Sequence, residues 1–359
     1  MGKKLHNKTD KRVLKKQMLD DPDNRVTLSF YQYANIGNVR VFRDHLYIAW
    51  ESLGVMGRTY VASEGINAQI SVPEKNWGAF KAQMDSITFL KGIRLNIAIQ
   101  DDGKSFYKLI IRIKNKILAD GLNDDTFDVT NGGQHLSAKE FNSLAEQPDT
   151  IIVDMRNHYE SEVGHFQNAI TPDVETFRDS LPIIEDQLQE HKEKNIIMYC
   201  TGGIRCEKAS AWYKHKGFKN VFQLDGGIIE YTRQVKNSDL ENKFIGKNFV
   251  FDERMGERIS KEIISNCYQC DVASDRHSNC TNLACHRLII QCESCADKWQ
   301  GACCETCYQY LQLPEGTQKE LRKGIKDSMK TYHKSRTSPF LENKALQEKV
   351  KVLFSELEK

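Results

Sequence analysis

The run Tyr199-Cys200-Thr201-Gly202-Gly203-Ile204-Arg205-Cys206 places a thiol where a nucleophile is well served. Apolar residues 196–199 precede it and predict a buried strand that stops at the cysteine. Small residues follow, with an arginine five positions on. Cys206-Glu207-Lys208-Ala209-Ser210-Ala211-Trp212-Tyr213 then reads as the start of a helix. A thiol at such a junction meets the unpaired N–H groups of the helix N-terminus, which favour an anion. The expected consequence is a depressed thiol pKa and a nucleophilic thiolate near neutral pH. Cys200 is the expected catalytic residue, and Thr201, Gly202, Gly203, Ile204 and Arg205 are the expected active-site loop. Apolar burial alone would account for a packed thiol, but not for the Gly-Gly-x-Arg segment behind it. Cys206 reads either as a packed residue or as a resolving thiol for Cys200.

A second chemistry is written further on. Nine of the eleven cysteines fall between residues 267 and 307: Cys267, Cys270, Cys280, Cys285, Cys292, Cys295, Cys303, Cys304 and Cys307. Their Cys-x-x-Cys pairs have the spacing that lets two thiolates reach one tetrahedral Zn²⁺. Disulfides are disfavoured in the cytosol, so structural zinc is the expectation. Nine thiols fill two four-ligand sites with one to spare, and His277 or His286 offers a substitute vertex. Reduced, packed thiols are the alternative, and the spacing does not partition the ligands.

The elements that must hold these groups follow from pattern. The chain has 359 residues, 40% hydrophobic and 28% charged, enough for several cores. Its net charge of +2 means that any nucleic-acid site must be a local patch. No apolar run approaches the ~18–20 residues that span a bilayer, so no membrane partner is expected. The lysine-rich residues 1–16 lack the apolar segment of a secretory signal. His6 stands where a myristoylation motif wants Ser or Thr. The cytoplasm is the expected location.

Residues 26–31, 55–62, 68–72 and 108–114 read as strands, and 38–53 and 74–84 as helices. The order β-α-β-β-α-β predicts a ferredoxin-like α+β sandwich over residues 25–118, preceded by a basic tail, 1–24. Residues 119–134, with Asp120-Gly121 and Asn131-Gly132-Gly133, read as a linker. An α/β domain (135–245), a Cys-rich module (246–312) and a basic helical tail (313–359), with a last helix near 342–358, complete the expected multidomain α/β organisation.

Several motifs carry a resemblance. Asp154-Met155-Arg156-Asn157 follows the apolar run 151–153. Gly164-His165-Phe166 and Ala169-Ile170-Thr171-Pro172 come next, and Leu224-Asp225-Gly226-Gly227-Ile228 follows the cysteine loop. This order, over residues 136–235, resembles the rhodanese domain, an α/β module with a catalytic cysteine at the end of a central parallel strand. That resemblance implies loop amides cradling Cys200, as thiolate or persulfide. Asp154 and Arg156 read as a supporting ion pair, with Arg156 equally placed to meet an anionic substrate. Phosphatases of this fold put five residues between cysteine and arginine. The four here suit a smaller adduct.

Over residues 25–310 the chain resembles the rhodanese-like tRNA uridine(34) hydroxylases of bacteria. Ser63-Glu64-Gly65-Ile66-Asn67, the basic stretch 106–114, the loop 200–210 and Phe249-Val250-Phe251-Asp252-Glu253-Arg254 carry the likeness. It implies oxygen-dependent conversion of the wobble uridine to 5-hydroxyuridine, with tRNA as partner, O₂ as co-substrate and Cys200 essential. No DNA partner is implied. A thiolate adding to C6 of uracil would make C5 nucleophilic. Arg112, Lys114 and Lys116 are candidate RNA contacts. No flavin or nicotinamide motif stands in the sequence, and the electron donor is not written there. Two other functions fit parts of the chain: a sulfurtransferase carrying a Cys200 persulfide, and a non-catalytic zinc-bearing RNA-binding adaptor.

Overall fold

The computed structural model describes residues 9–123, 127–325, 336 and 338–357. The chain divides into two compact units. One comprises Met1–Asn157, Phe166–Lys243 and Asp252–Glu257; the other comprises His158–His165, Phe244–Phe251 and Arg258–Lys359.

The first unit opens with α1 (Lys11–Asp20), β1 (Arg25–Tyr33), α2 (Val39–Ser52), β2 (Met56–Ala62), β3 (Gly65–Pro73), α3 (Trp77–Asp85), β4 (Asn96–Ile97) and β5 (Leu109–Ile113). The strands form one sheet in the order β4-β1-β3-β2-β5. Alternation divides its two faces. Leu28, Phe30, Ile66 and Ile70 turn into a core closed by Leu46 and Trp50 of α2 and Phe80 and Met84 of α3. The intervening residues Ser29, Tyr31, Tyr33, Asn67 and Gln69 take the opposite face. Helix α2 starts where the Asn38 side chain accepts from the Val41 N–H at 3.1 Å.

The ferredoxin-like strand order is present, but its fourth strand is not the basic stretch. That place belongs to β4, antiparallel to β1 with Ser29 opposite Asn96. Residues 109–113 instead form β5 at the other edge, parallel to β2. Two residues carry no periodic signal, so pattern alone assigns the role to the longer run.

Next come β6 (Gln134–Leu136), α4 (Ala138–Ala145), β7 (Thr150–Asp154), α5 (His158–Ser161), β8 (Gly164–Phe166), α6 (Phe177–Gln187), β9 (Asn195–Tyr199), α7 (Ile204–His215), β10 (Asn220–Leu224) and α8 (Gly227–Ser238). Strands β6, β10, β9 and β7 pair in that order, all parallel. Strand β9 lies inside this sheet, and Ile196, Ile197, Met198 and Tyr199 are fully buried. This explains why the run is continuously apolar rather than alternating.

The chain continues with β11 (Phe244–Asn248), β12 (Glu257–Arg258), β13 (His277–Asn279), β14 (Leu288–Ile290), α9 (Glu293–Lys298), α10 (Glu305–Gln312), α11 (Glu315–Arg322), α12 (Pro339–Glu342) and α13 (Lys344–Leu357). Strands β13 and β14 form an antiparallel pair. The helical tail is part of the cysteine-rich core: Phe340 and Val350 pack in one cluster with Cys280, Cys285, Cys307 and Tyr310. Among the tail's basic residues, Lys319 and Lys323 pair with Glu315 and Glu320. Lys326, Lys330 and Lys334 lie outside the described residues, as do residues 1–8 of the basic tail and 124–126 of the expected linker. No helix among the described residues is long and apolar enough to cross a membrane.

Candidate active site and cysteine clusters

Cys200 follows β9 directly, and α7 starts four residues later at Ile204. The loop folds back on the thiol, and the Gly203 N–H donates to Cys200 Sγ at 3.1 Å. Gly203 has φ +101°, a conformation side chains rarely adopt. Burial by itself raises the Cys200 thiol. A hydrogen bond from Cys206, the Arg205 charge and the N–H groups of Arg205 and Gly203 act the other way and lower it to about 6. Burial and the adjacent Cys200 push the Cys206 thiol well up. Cys206 is therefore the protonated donor of the pair and Cys200 the acceptor.

The start of α8 secures the loop from behind. Ile228 and Ile229 donate to the carbonyls of Cys200 and Thr201 at 3.0 and 3.2 Å. A Cβ on Gly227 would lie 2.4 Å from the Cys200 carbonyl oxygen, so only glycine admits this approach. Asp154 and Arg156 sit below, both fully buried. The Arg156 guanidinium grips the Asp154 carboxylate (2.6–3.1 Å), and the Tyr199 hydroxyl donates to the same carboxylate at 2.7 Å. The pair fixes the residue that precedes Cys200.

What lies above the loop has no local signature in the sequence. The polar face of the N-terminal sheet roofs the loop, leaving Cys200 only 1% exposed. A Cβ on Gly203 would stand 2.7 Å from the Tyr31 hydroxyl. That hydroxyl donates to Glu207 at 3.0 Å, and the Asn96 amide donates to the Gly202 carbonyl at 3.4 Å. Glu207 also meets His135 (3.4 Å) and Gln223 (3.1 Å). Asp225 joins His135 (3.2 Å) to Arg94, which it holds by two bonds of 2.5 and 2.6 Å. Hydrogen bonding to Glu207 raises the His135 pKa. Periodicity identifies none of these residues, because they come from strand faces that meet only in three dimensions.

A buried clamp joins the same elements. Lys208 of α7 is 2% exposed. Its ammonium donates to Asp120 at 2.6 Å and to both Glu64 oxygens at 3.1 Å. Glu64 also accepts from the Ile117 N–H at 2.7 Å, and Asn67 donates to the Ile117 carbonyl at 3.2 Å. The Glu64-Gly65-Ile66-Asn67 turn is thus the N-terminal anchor of the catalytic helix. Asp120, in the expected linker, is buried and part of the clamp. Of the candidate RNA contacts, Arg112 and Lys114 are exposed. Lys116 is engaged by Asp120 (2.7 Å) and the Leu122 carbonyl (2.8 Å).

In the second unit the cysteines sort into two sets. Cys267, Cys270, Cys292 and Cys295 form one, and Cys280, Cys285, Cys303 and Cys307 the other, with the sulfurs of each set within 4.8 Å of one another. Sulfur pairs stand 3.6 Å apart at Cys270–Cys292, 3.7 Å at Cys285–Cys303 and 3.6 Å at Cys303–Cys307. A tetrahedron with Zn–S bonds of ~2.3 Å has edges of about 3.8 Å, so both sets fit Zn²⁺. N–H groups of Cys292 and Cys303 point at Cys267 and Cys280, and Ser338 of the tail donates to Cys285 at 3.2 Å. Such outer contacts orient thiolate ligands. Cys304, His277 and His286 belong to neither set. His277 is buried against Phe249, and burial lowers its pKa to about 3.

Comparison with known proteins covers the same regions. Residues 25–117 match the UPF0176 acylphosphatase like domain, 137–234 the Rhodanese-like domain and 245–308 the Rhodanase C-terminal family. A protein of Leptospira interrogans named tRNA uridine(34) hydroxylase is 53% identical over 335 residues, 93% of this chain and 91% of that protein. One of the same name from Photorhabdus laumondii is 52% identical over 92% of this chain and 95% of its own. A solved Rhodanese-like domain from Anabaena sp. aligns at 21% identity and a TM-score of 0.26, over 31% of this chain and 78% of that one.

Proposed function

The chain belongs to the tRNA uridine(34) hydroxylase family, and we propose that it hydroxylates the wobble uridine at C5, with Cys200 as the attacking nucleophile and O₂ as the oxygen source. The observation that carries this is the thiolate: a buried sulfur held at a pKa of about 6 by a loop that spends its amides on it. In the proposed reaction Sγ bonds to C6 of uracil, and the displaced electron pair makes an enolate whose C5 is nucleophilic. One atom of O₂ goes to C5. The other leaves as water, taking two electrons and two protons from a reductant. Loss of the C5 proton then expels Sγ and restores the thiolate. The roof of Tyr31 and Asn96 keeps water from the sulfur once a base is in place.

Zinc is the proposed occupant of the two cysteine sets. It supplies folding energy there rather than reactivity, since four thiolates leave no open position. The proposed site of action is the cytoplasm.

The test is tRNA lacking the modification, incubated with the protein under ¹⁸O₂ and in parallel without oxygen. The expected product is ¹⁸O-labelled 5-hydroxyuridine in the first sample and none in the second. Unlabelled product, or equal product without oxygen, overturns the O₂ assignment. Sulfur in the nucleoside would replace it with persulfide transfer.

A further inference from the structure

We propose that the outer face of the β2–β5 edge, carried by Arg58, Tyr60, Arg112 and Lys114, is a docking strip for the single-stranded nucleotides that flank the wobble uridine; this rests on Cys200 being the reacting centre for tRNA. Strand register builds the strip. Tyr31 is opposite Asn67, Asn67 opposite Tyr60, and Tyr60 beside Arg112. Residues opposite one another share a face, so these four cross the sheet in one row. The row begins at the cysteine loop, where Tyr31 overlies Gly203. It ends at an exposed arginine on the sheet edge.

Four strands at ~4.8 Å spacing make the row about 14 Å long, and its outer half, Tyr60 and Arg112, is the part not covered by the Glu207 and Ile117 contacts. Arg58 lies in the next row, opposite Gln69 and beside Ile110. Lys114 places its ammonium 5.5 Å over the Tyr60 ring.

The chemistry selects one kind of occupant. Tyr60 is half-buried, and its ring carries the Lys114 ammonium above it. A single strand offers base faces to stack on such a ring and phosphates for the cations beside it. Ser29, Tyr31, Tyr33, Asn67, Gln69, Arg58, Tyr60, Ile110 and Arg112 hold this face of the described strands without a carboxylate. Asp21, Asp23, Asp101 and Asp102 instead gather around Arg25, at the far end of β1. A polyanion is therefore drawn to the exposed Arg112 end, since toward Tyr31 the same face is closed by the Asn67–Ile117 contact and by Glu207. Lys116 takes no part, because its ammonium is already bonded within the chain.

The test uses the full-length, zinc-loaded protein and a labelled anticodon stem-loop carrying uridine 34, read by fluorescence anisotropy across a salt series. Tyr60→Ala should weaken binding about tenfold or more without altering the salt slope, and Tyr60→Phe should bind as wild type. Arg112→Ala and Lys114→Ala should each flatten the slope of log K against log salt by about 0.7. In turnover the losses should appear in KM. Unchanged affinity and slope in all three alanine variants would overturn the proposal, even if wild type hydroxylates uridine 34. Equal loss on a loop-free duplex would also overturn it, since duplex phosphates would then be what the strip reads. Failure of wild type to hydroxylate would instead remove the Cys200 reading and leave the binding result standing. Arg112 and Lys114 are exposed, so their slopes remain readable if Tyr60→Ala does not fold.

Discussion

Titration of Cys200 tests the proposed reaction at its first step. The ordinary thiol value is 9.0, and the loop lowers it to about 6. Three units correspond to about 4 kcal/mol of preference for the thiolate. At pH 7 about nine in ten Cys200 side chains are then ionised, against about one in a hundred for an ordinary thiol. The assay is ultraviolet thiolate absorbance of wild type minus Cys200→Ser, both zinc-loaded so that the clustered cysteines cancel. The midpoint should fall near pH 6. Arg205→Gln removes one of the stabilising charges and should move it up by about a unit or more.

Stability must follow with a fixed sign. The folded pKa lies below the unfolded one, so the contribution is complete above about pH 9 and is lost as pH falls through about 6. Between those values the stability of wild type over Cys200→Ser should climb by about 1.4 kcal/mol per pH unit. A midpoint at the ordinary value, unmoved by Arg205→Gln, would refute the reasoning. Slow alkylation would not, because the roof leaves the sulfur 1% exposed. Nucleophilicity and access are separate properties here.

Tyr31→Ala and Asn96→Ala should thin the roof, raising the iodoacetamide rate at Cys200 severalfold while the pH midpoint stays below 7. Asp120→Asn removes one of the two carboxylates that hold the Lys208 ammonium, Glu64 remaining, and should cost about 1–3 kcal/mol in chemical denaturation. Purified protein should carry about two zinc equivalents by elemental analysis. Cys267→Ser and Cys285→Ser should each reduce that number, whereas Cys304→Ser should leave it unchanged.

What was legible in the sequence was local. A thiol after an apolar run, with glycines and an arginine behind it, is a message contained in one short segment, and the loop around Gly203 has the geometry that message implies. The cysteine pairs were equally local, but their partition was not. Cys280 and Cys285 lack the two-residue gap, and only the folded backbone brings them to Cys303 and Cys307. The basic stretch 108–114 reads as a strand from its pattern alone, but its parallel pairing with β2 is set by tertiary structure. The roof was invisible. Tyr31 and Asn96 look like ordinary strand residues until the sheet is laid over the loop. Asp120 looked like loop punctuation, and its burial depends on a lysine 88 residues later.

The two cysteine sets interleave along the chain. A pair from the first is followed by a pair from the second, then the remaining first pair, then the remaining second pair. On a ribosome, neither set can close as a local hairpin. By the time Cys295 has emerged to complete the first, Cys280 and Cys285 are already outside, with Cys303 and Cys307 still to follow. The second closes only after Cys307, and the Ser338 contact to Cys285 comes later still. No truncation of this region leaves one complete site without stranding half of the other. The module must therefore be inherited, and lost, as a whole.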